Sequence, residues 1–226
     1  MIKSFLRIYL DGLAPILPLL ILLAGYKTFQ LKGKVFVLLF FIISTIGFLT
    51  ADYIDHQGGN NLLVYNIIPL FFVTNLYFFF RVIHVNPVIC NINTFMLICL
   101  IVLYFYRKEY ILEYKVFGSP YYIMLSIFTL VNCLGYYYQE FIAMGEIVMW
   151  KKLEFWFIAS ILFYASTSFV IWGFFKMLMD KGTAIGLTKD ELKYIGDLWQ
   201  LHNVVFTISC LGFFGALIWK RFKIKF

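Results

Sequence analysis

Charge is scarce in this 226-residue chain, and it is gathered into short clusters. Only 14% of the residues are Asp, Glu, Lys or Arg, against about 25% in soluble domains. Ionisable groups are missing above all from the middle of the apolar runs, which argues against a proton relay or a voltage sensor built on buried Asp, Glu or Arg. Also missing are HExxH, GxSxG, CxxC, P-loop and GxGxxG patterns, so no metal, acyl-transfer or nucleotide chemistry is announced and no cofactor is expected. Three isolated histidines cannot build a His-rich desaturase or hydroxylase centre. The four cysteines, Cys90, Cys99, Cys133 and Cys210, lie in or beside apolar runs without paired spacing. They read as buried free thiols rather than disulfides or metal ligands.

What is present is apolar. The chain is 62% hydrophobic and 21% aromatic, with a mean hydropathy of +0.86. A soluble core of this size could not hide so much apolar surface, so lipid is the expected solvent. Seven apolar runs stand between the charged clusters. Six of them lack Asp, Glu, Lys and Arg over roughly 17 to 25 residues, the span of a bilayer's hydrocarbon core. The expected fold is all-α, a single polytopic transmembrane bundle over residues 1–226. Its helices are expected near residues 6–26, 35–51, 62–80, 91–106, 121–139, 155–175 and 198–219.

Lys3 and Arg7 ahead of Leu13 to Leu23 resemble a signal peptide, but Leu22 before Ala24 makes a poor cleavage site, so a retained first helix is expected. Pro15 and Pro18 interrupt that helix and Pro69 interrupts the third, which lipid tolerates only where neighbours re-satisfy the freed carbonyls. Pro120 fits the first turn of the fifth. Residues 179–197 read as the one substantial soluble stretch. Within it, Thr188 and Glu191 have the spacing of a capping box.

Phe suits a lipid-facing surface, while Tyr136-Tyr137-Tyr138, Trp150, Trp199 and Trp219 fall where an aromatic belt would. The net charge of +7 comes from basic residues scattered at membrane boundaries, without a recognition motif, and does not indicate nucleic acid. Lys and Arg counts on the two faces nearly tie. The cluster Lys27, Lys32 and Lys34 and the acid-free tail after Trp219 favour a cytoplasmic C-terminus and an outside N-terminus.

Three constellations stand out. Asp52, Asp55 and His56 in the second loop share a predicted face with His202 and Asn203 at the start of the last helix. Together they form a candidate outer-rim site for a ligand, a cation or a pH response, or simply a hydrated loop and a helix-capping His. Asn66, Asn75, Asn132, Ser166, Thr167, Ser168, Asn203 and Thr207 lie inside predicted spans. Interhelical hydrogen bonding is their default role, a polar pocket the alternative. Gly212 and Ala216, four apart, form a small-residue packing face for another helix or a partner subunit.

A long sixth helix, then Leu198-Trp199-Gln200-Leu201-His202-Asn203 opening a last helix that ends in Trp219 and basic residues, resembles a group of uncharacterised bacterial seven-helix integral membrane proteins. Some members are thought to work with sensor histidine kinases. The resemblance implies a membrane sensor or accessory subunit that signals or assembles through a partner, and it carries over no catalytic residues. Richness in Phe, Ile, Lys, Tyr and Asn fits a low-GC bacterial genome and hence a bacterial inner membrane. The alternatives are a small transporter or channel and, less favoured, a lipid-acting membrane enzyme.

Overall fold

The structure is a computed structural model and describes residues 12–106, 117–143 and 149–223, without the side chains of residues 182–185 and 223. The start of the first expected helix, the charged connection at 107–116 and the end of the basic tail lie outside the described residues. Among those described there is no strand. The elements are α1 (Ile16–Ala24), α2 (Lys34–His56), α3 (Leu62–Ile83), α4 (Pro87–Tyr106), α5 (Ser119–Ile142), a short 3-10 turn (Met149–Lys151), α6 (Leu153–Ile185) and α7 (Lys189–Lys223).

Five helices, α2, α3, α4, α6 and α7, are long and apolar enough to cross a bilayer. The chain is therefore a multi-pass membrane protein whose helices contact lipid. At 24 residues α5 has the length, diluted by its Tyr, Ser, Asn and Gln. At nine residues α1 is about half the length needed to cross.

Neighbour relations close a ring: α1 packs on α2 and α7, α2 on α3, α3 on α5, α5 on α6, and α6 on α7. Helix α4 lies outside, against α3 and α5, and much of its surface is exposed. Successive long helices run antiparallel, so the bundle has two ends. One end holds Lys27, Lys32, Lys34, Arg81, Lys151, Lys152, Lys220 and Arg221, with Glu140 and Glu154 as its described acids. The other carries Asp52, Asp55, Asp180, Asp190, Glu191 and Asp197 beside Lys176, Lys181, Lys189 and Lys193.

Aromatic rings fill the axis. Phe157 of α6 meets Phe40, Phe41, Phe79 and Phe213 at centroid distances of 5.0 to 6.1 Å. Nearer the acidic end, Trp172, Trp199, Tyr65, Tyr122 and Phe117 form a second cluster. The Phe expected at the lipid surface thus also builds the core. Trp199 belongs to this cluster, not to a belt, whereas Trp150 and Trp219 are exposed as a belt requires.

Several boundaries differ from expectation: α2 runs on to His56, so that Asp52, Asp55 and His56, expected in the second loop, are helical, α4 starts at Pro87, and the largest differences lie around the soluble stretch. Helix α6 continues to Ile185 and α7 already begins at Lys189. The capping box explains the early start: Glu191 Oε2 accepts from Thr188 N at 3.0 Å, and Thr188 Oγ1 accepts from Glu191 N at 3.3 Å. Once capped, nothing stops the helix before it enters the apolar run. The connection shrinks to a short turn with Gly186 at φ 83°, a conformation that favours glycine.

Candidate functional site

The anticipated outer rim separates into two environments. Asp55 and His56 end α2 and are exposed; Asp52 is half-buried one turn earlier. His202 does not open its helix. It lies thirteen residues into α7, about 20 Å along the axis from Lys189 at 1.5 Å per residue, and is only 3% exposed. The reason is again the early helix start, which carries the polar terminus away from the His.

His202 is held from several sides. Its Nε2 lies 2.8 Å from Tyr164 Oη and its Nδ1 3.4 Å from Asn203 Oδ1. The Trp172 ring stands 4.6 Å away, centre to centre. Phe48 and Phe206 touch at 5.4 Å across α2 and α7. Asp52 follows Phe48 by one turn and His202 precedes Phe206 by one turn, so the two stand at the same level of antiparallel helices. Asp52 and His202 are thereby brought into one layer, while Asp55 and His56 belong to the aqueous turn beyond it. Among the described residues no three His, Cys, Asp or Glu side chains are grouped to hold a metal.

The intramembrane amides and hydroxyls stitch helices together. Asn75 Nδ2 donates to Phe36 O of α2 at 2.8 Å, and Asn66 Oδ1 accepts from Gly118 N at 2.8 Å. Thr167 and Thr207 return their hydroxyls to carbonyls one turn back. Ala216 is buried, but a Cβ added to Gly212 would meet only Ser160 Oγ at 3.6 Å, ordinary contact. The α6–α7 seam is therefore not so close that it demands glycine there.

The roomy polar cavity lies at the other end, about 440 Å³ in volume. The α1–α2 connection supplies Lys32, the end of α3 supplies Ile83, and α5 supplies Tyr136 and Glu140, which share a face four residues apart. The 3-10 turn adds Lys151, Lys152 follows it, the start of α6 adds Glu154, and the end of α7 adds Lys220. Glu154 is only 7% exposed, and its Oε1 accepts the backbone N–H of Lys32. Lys152 Nζ pairs with Glu140 Oε2 at 2.5 Å. Lys220 Nζ donates to the Lys151 carbonyl at 3.0 Å, which leaves its charge unneutralised. Among the described residues the ammonium groups of Lys32 and Lys151 have no carboxylate partner. Four lysines against two committed glutamates make the cavity positive.

Tyr136 is the singular member. It is 3% exposed, and its hydroxyl is buried with no hydrogen-bond partner among the described residues. It lies within electrostatic reach of Glu140 and Glu154. A phenol buried without a partner forfeits on the order of 1–3 kcal/mol, which a ligand acceptor in the cavity would recover.

Beside the cavity a polar clamp fixes the α3–α4 turn. Gln139 Oε1 accepts both Val85 N and Asn86 N at 2.8 Å, which sets its amide orientation. Gln139 Nε2 therefore donates to His84 Nδ1 at 2.6 Å, and His84 Nε2–H donates to Asn132 Oδ1 at 3.2 Å. One neutral tautomer of His84 satisfies every partner. Burial pushes the His84 pKa down from 6.5 to about 4, against an opposing pull from Asn132.

None of this end was singled out from sequence, because its members come from five separate segments. The available signals were Tyr136 and Glu140 on one helix face, followed by Lys151-Lys152 and Glu154 where the next helix starts. Comparison of the chain with protein-family models, with curated proteins and with solved structures returned no match.

Proposed function

We propose that this multi-pass membrane protein is a non-catalytic sensor or accessory subunit that acts by binding and signals or assembles through a partner. The observation that supports it is the contrast between a sealed centre and an open end. Spaces among the aromatic rings of the core amount to about 10 and 20 Å³, room for about one water at most. The basic cavity is far larger and presents an excess of ammonium groups, with one ion pair, Lys152–Glu140, rather than a nucleophile held by a base. The cluster Lys27, Lys32 and Lys34 and the acid-free tail after Trp219 support a cytoplasmic placement of that end and the C-terminus. The resemblance to the bacterial seven-helix proteins thought to work with sensor histidine kinases agrees with this role and with a bacterial inner membrane.

A transporter or channel is the second reading, and the proline inside α3 favours it, since broken helices mark many transport sites. The two readings separate in liposomes containing the purified full chain alone. The binding role predicts no dissipation of a potassium gradient and no change in the phospholipid composition of the bilayer. Ion flux, or lipid conversion abolished by Tyr136→Phe, would overturn it.

A further inference from the structure

We propose that the basic cavity binds a phosphate group of net negative charge, presented by the headgroup of an anionic phospholipid. Three observations support the assignment. The cavity is open at the end of the bundle and positive, with the Lys32 and Lys151 ammonium groups uncommitted among the described residues. The buried Tyr136 hydroxyl lines it and lacks an acceptor. Its depth is that of the headgroup layer, since exposed Trp150 precedes Lys151 and exposed Trp219 precedes Lys220, as interfacial Trp does.

The chemistry follows from the donors. Phosphate oxygens are strong acceptors, and two ammonium groups with a phenol O–H offer charge-assisted bonds to them. Glu154 and Glu140 are occupied by Lys32 N–H and Lys152. They hold the walls in place. Ile83 and Leu31, both buried, give the cavity an apolar side suited to the glycerol and upper acyl carbons. Basic pockets between membrane helices recognise phospholipid headgroups in this way. Free phosphate offers the same oxygens without the apolar part.

The assignment rests on the binding role proposed above, but it is read by equilibrium binding rather than by flux or turnover, so either can fail alone. Native mass spectrometry of the detergent-purified full chain would compare phosphatidylglycerol, phosphatidylcholine and inorganic phosphate. Phosphatidylglycerol is expected to bind about tenfold more tightly than phosphatidylcholine and to resist excess inorganic phosphate. Displacement by inorganic phosphate would keep the phosphate site and assign it to a soluble source, overturning the lipid assignment. Lys32→Ala with Lys151→Ala should abolish the preference, while Lys189→Ala with Lys193→Ala at the opposite end should leave it intact. Tyr136→Phe, which keeps the ring, should weaken binding roughly threefold to tenfold, the value of one hydrogen bond, without lowering the melting temperature of the ligand-free protein. The proposal falls if the two lipids bind equally and phosphate does not bind, if both lysine pairs matter alike, or if Tyr136→Phe binds as the parent does.

Discussion

His84 shows how a single residue is fixed by bond direction. Because Gln139 Oε1 is taken by two backbone donors, its nitrogen must donate to the imidazole, so protonating His84 Nδ1 would break that bond. The folded pKa lies near 4 and the ordinary value is 6.5. A group whose folded pKa is depressed contributes stability that is present above pH 6.5 and is lost as pH falls through about 4. The apparent melting temperature in detergent should therefore drop between those limits, and His84→Gln should flatten that drop. Identical acid limbs for parent and variant would contradict the assignment. No sequence pattern announced this residue. A His between two apolar runs reads as loop until the tertiary structure brings Gln139 and Asn132 against it.

At the scale of the element, α3 explains how a proline survives in a membrane helix. Pro69 has no N–H, so the Tyr65 carbonyl four residues back loses its helical donor. Tyr122 Oη of α5 donates to that carbonyl at 2.7 Å, and Tyr104 Oη of α4 donates to Asn66 O at 3.0 Å. Tyr122→Phe should destabilise the protein by about 1–3 kcal/mol. In a Pro69→Ala background, where the restored backbone N–H can serve the Tyr65 carbonyl, the same change should cost clearly less. Additive effects in a denaturation cycle would show that the tyrosine does not replace the lost helical bond. At the same end of the bundle, Thr188→Ala should weaken the α7 cap by about 1 kcal/mol. Faster amide exchange confined to the first turn of α7 would register the change.

These elements were legible to different degrees. Long uncharged runs identify helices α2 to α7 because lipid forces each span to bond its own backbone. The capping box gives the start of α7, and with it the depth of His202. Reading the polar stretch as a loop put His202 at the rim, whereas the capped helix places it deep beside Tyr164 and Trp172. Gly33 was equally silent in sequence. It adopts φ 66° before α2, where a Cβ would lie 2.9 Å from Phe79.

At the scale of the whole molecule the two ends differ in character, which individual runs do not reveal. The basic end gathers lysines from the α1–α2 connection, the approach to α6 and the end of α7 around one cavity, while the other end closes over the Trp172 and His202 cluster. A ring of helices with an aromatic axis holds the two ends apart. The proposed binding role places the two ends on opposite sides of the membrane, and the proposed orientation puts the basic end inside.

Thiol labelling in intact cells tests this most directly. Cys90, Cys133 and Cys210 are buried and Cys99 is half-buried in α4, so an added surface cysteine should dominate the signal. A membrane-impermeant maleimide should label His56→Cys in intact cells and Lys151→Cys only after permeabilisation. Labelling of both from outside, or of Lys151→Cys alone, would contradict the account.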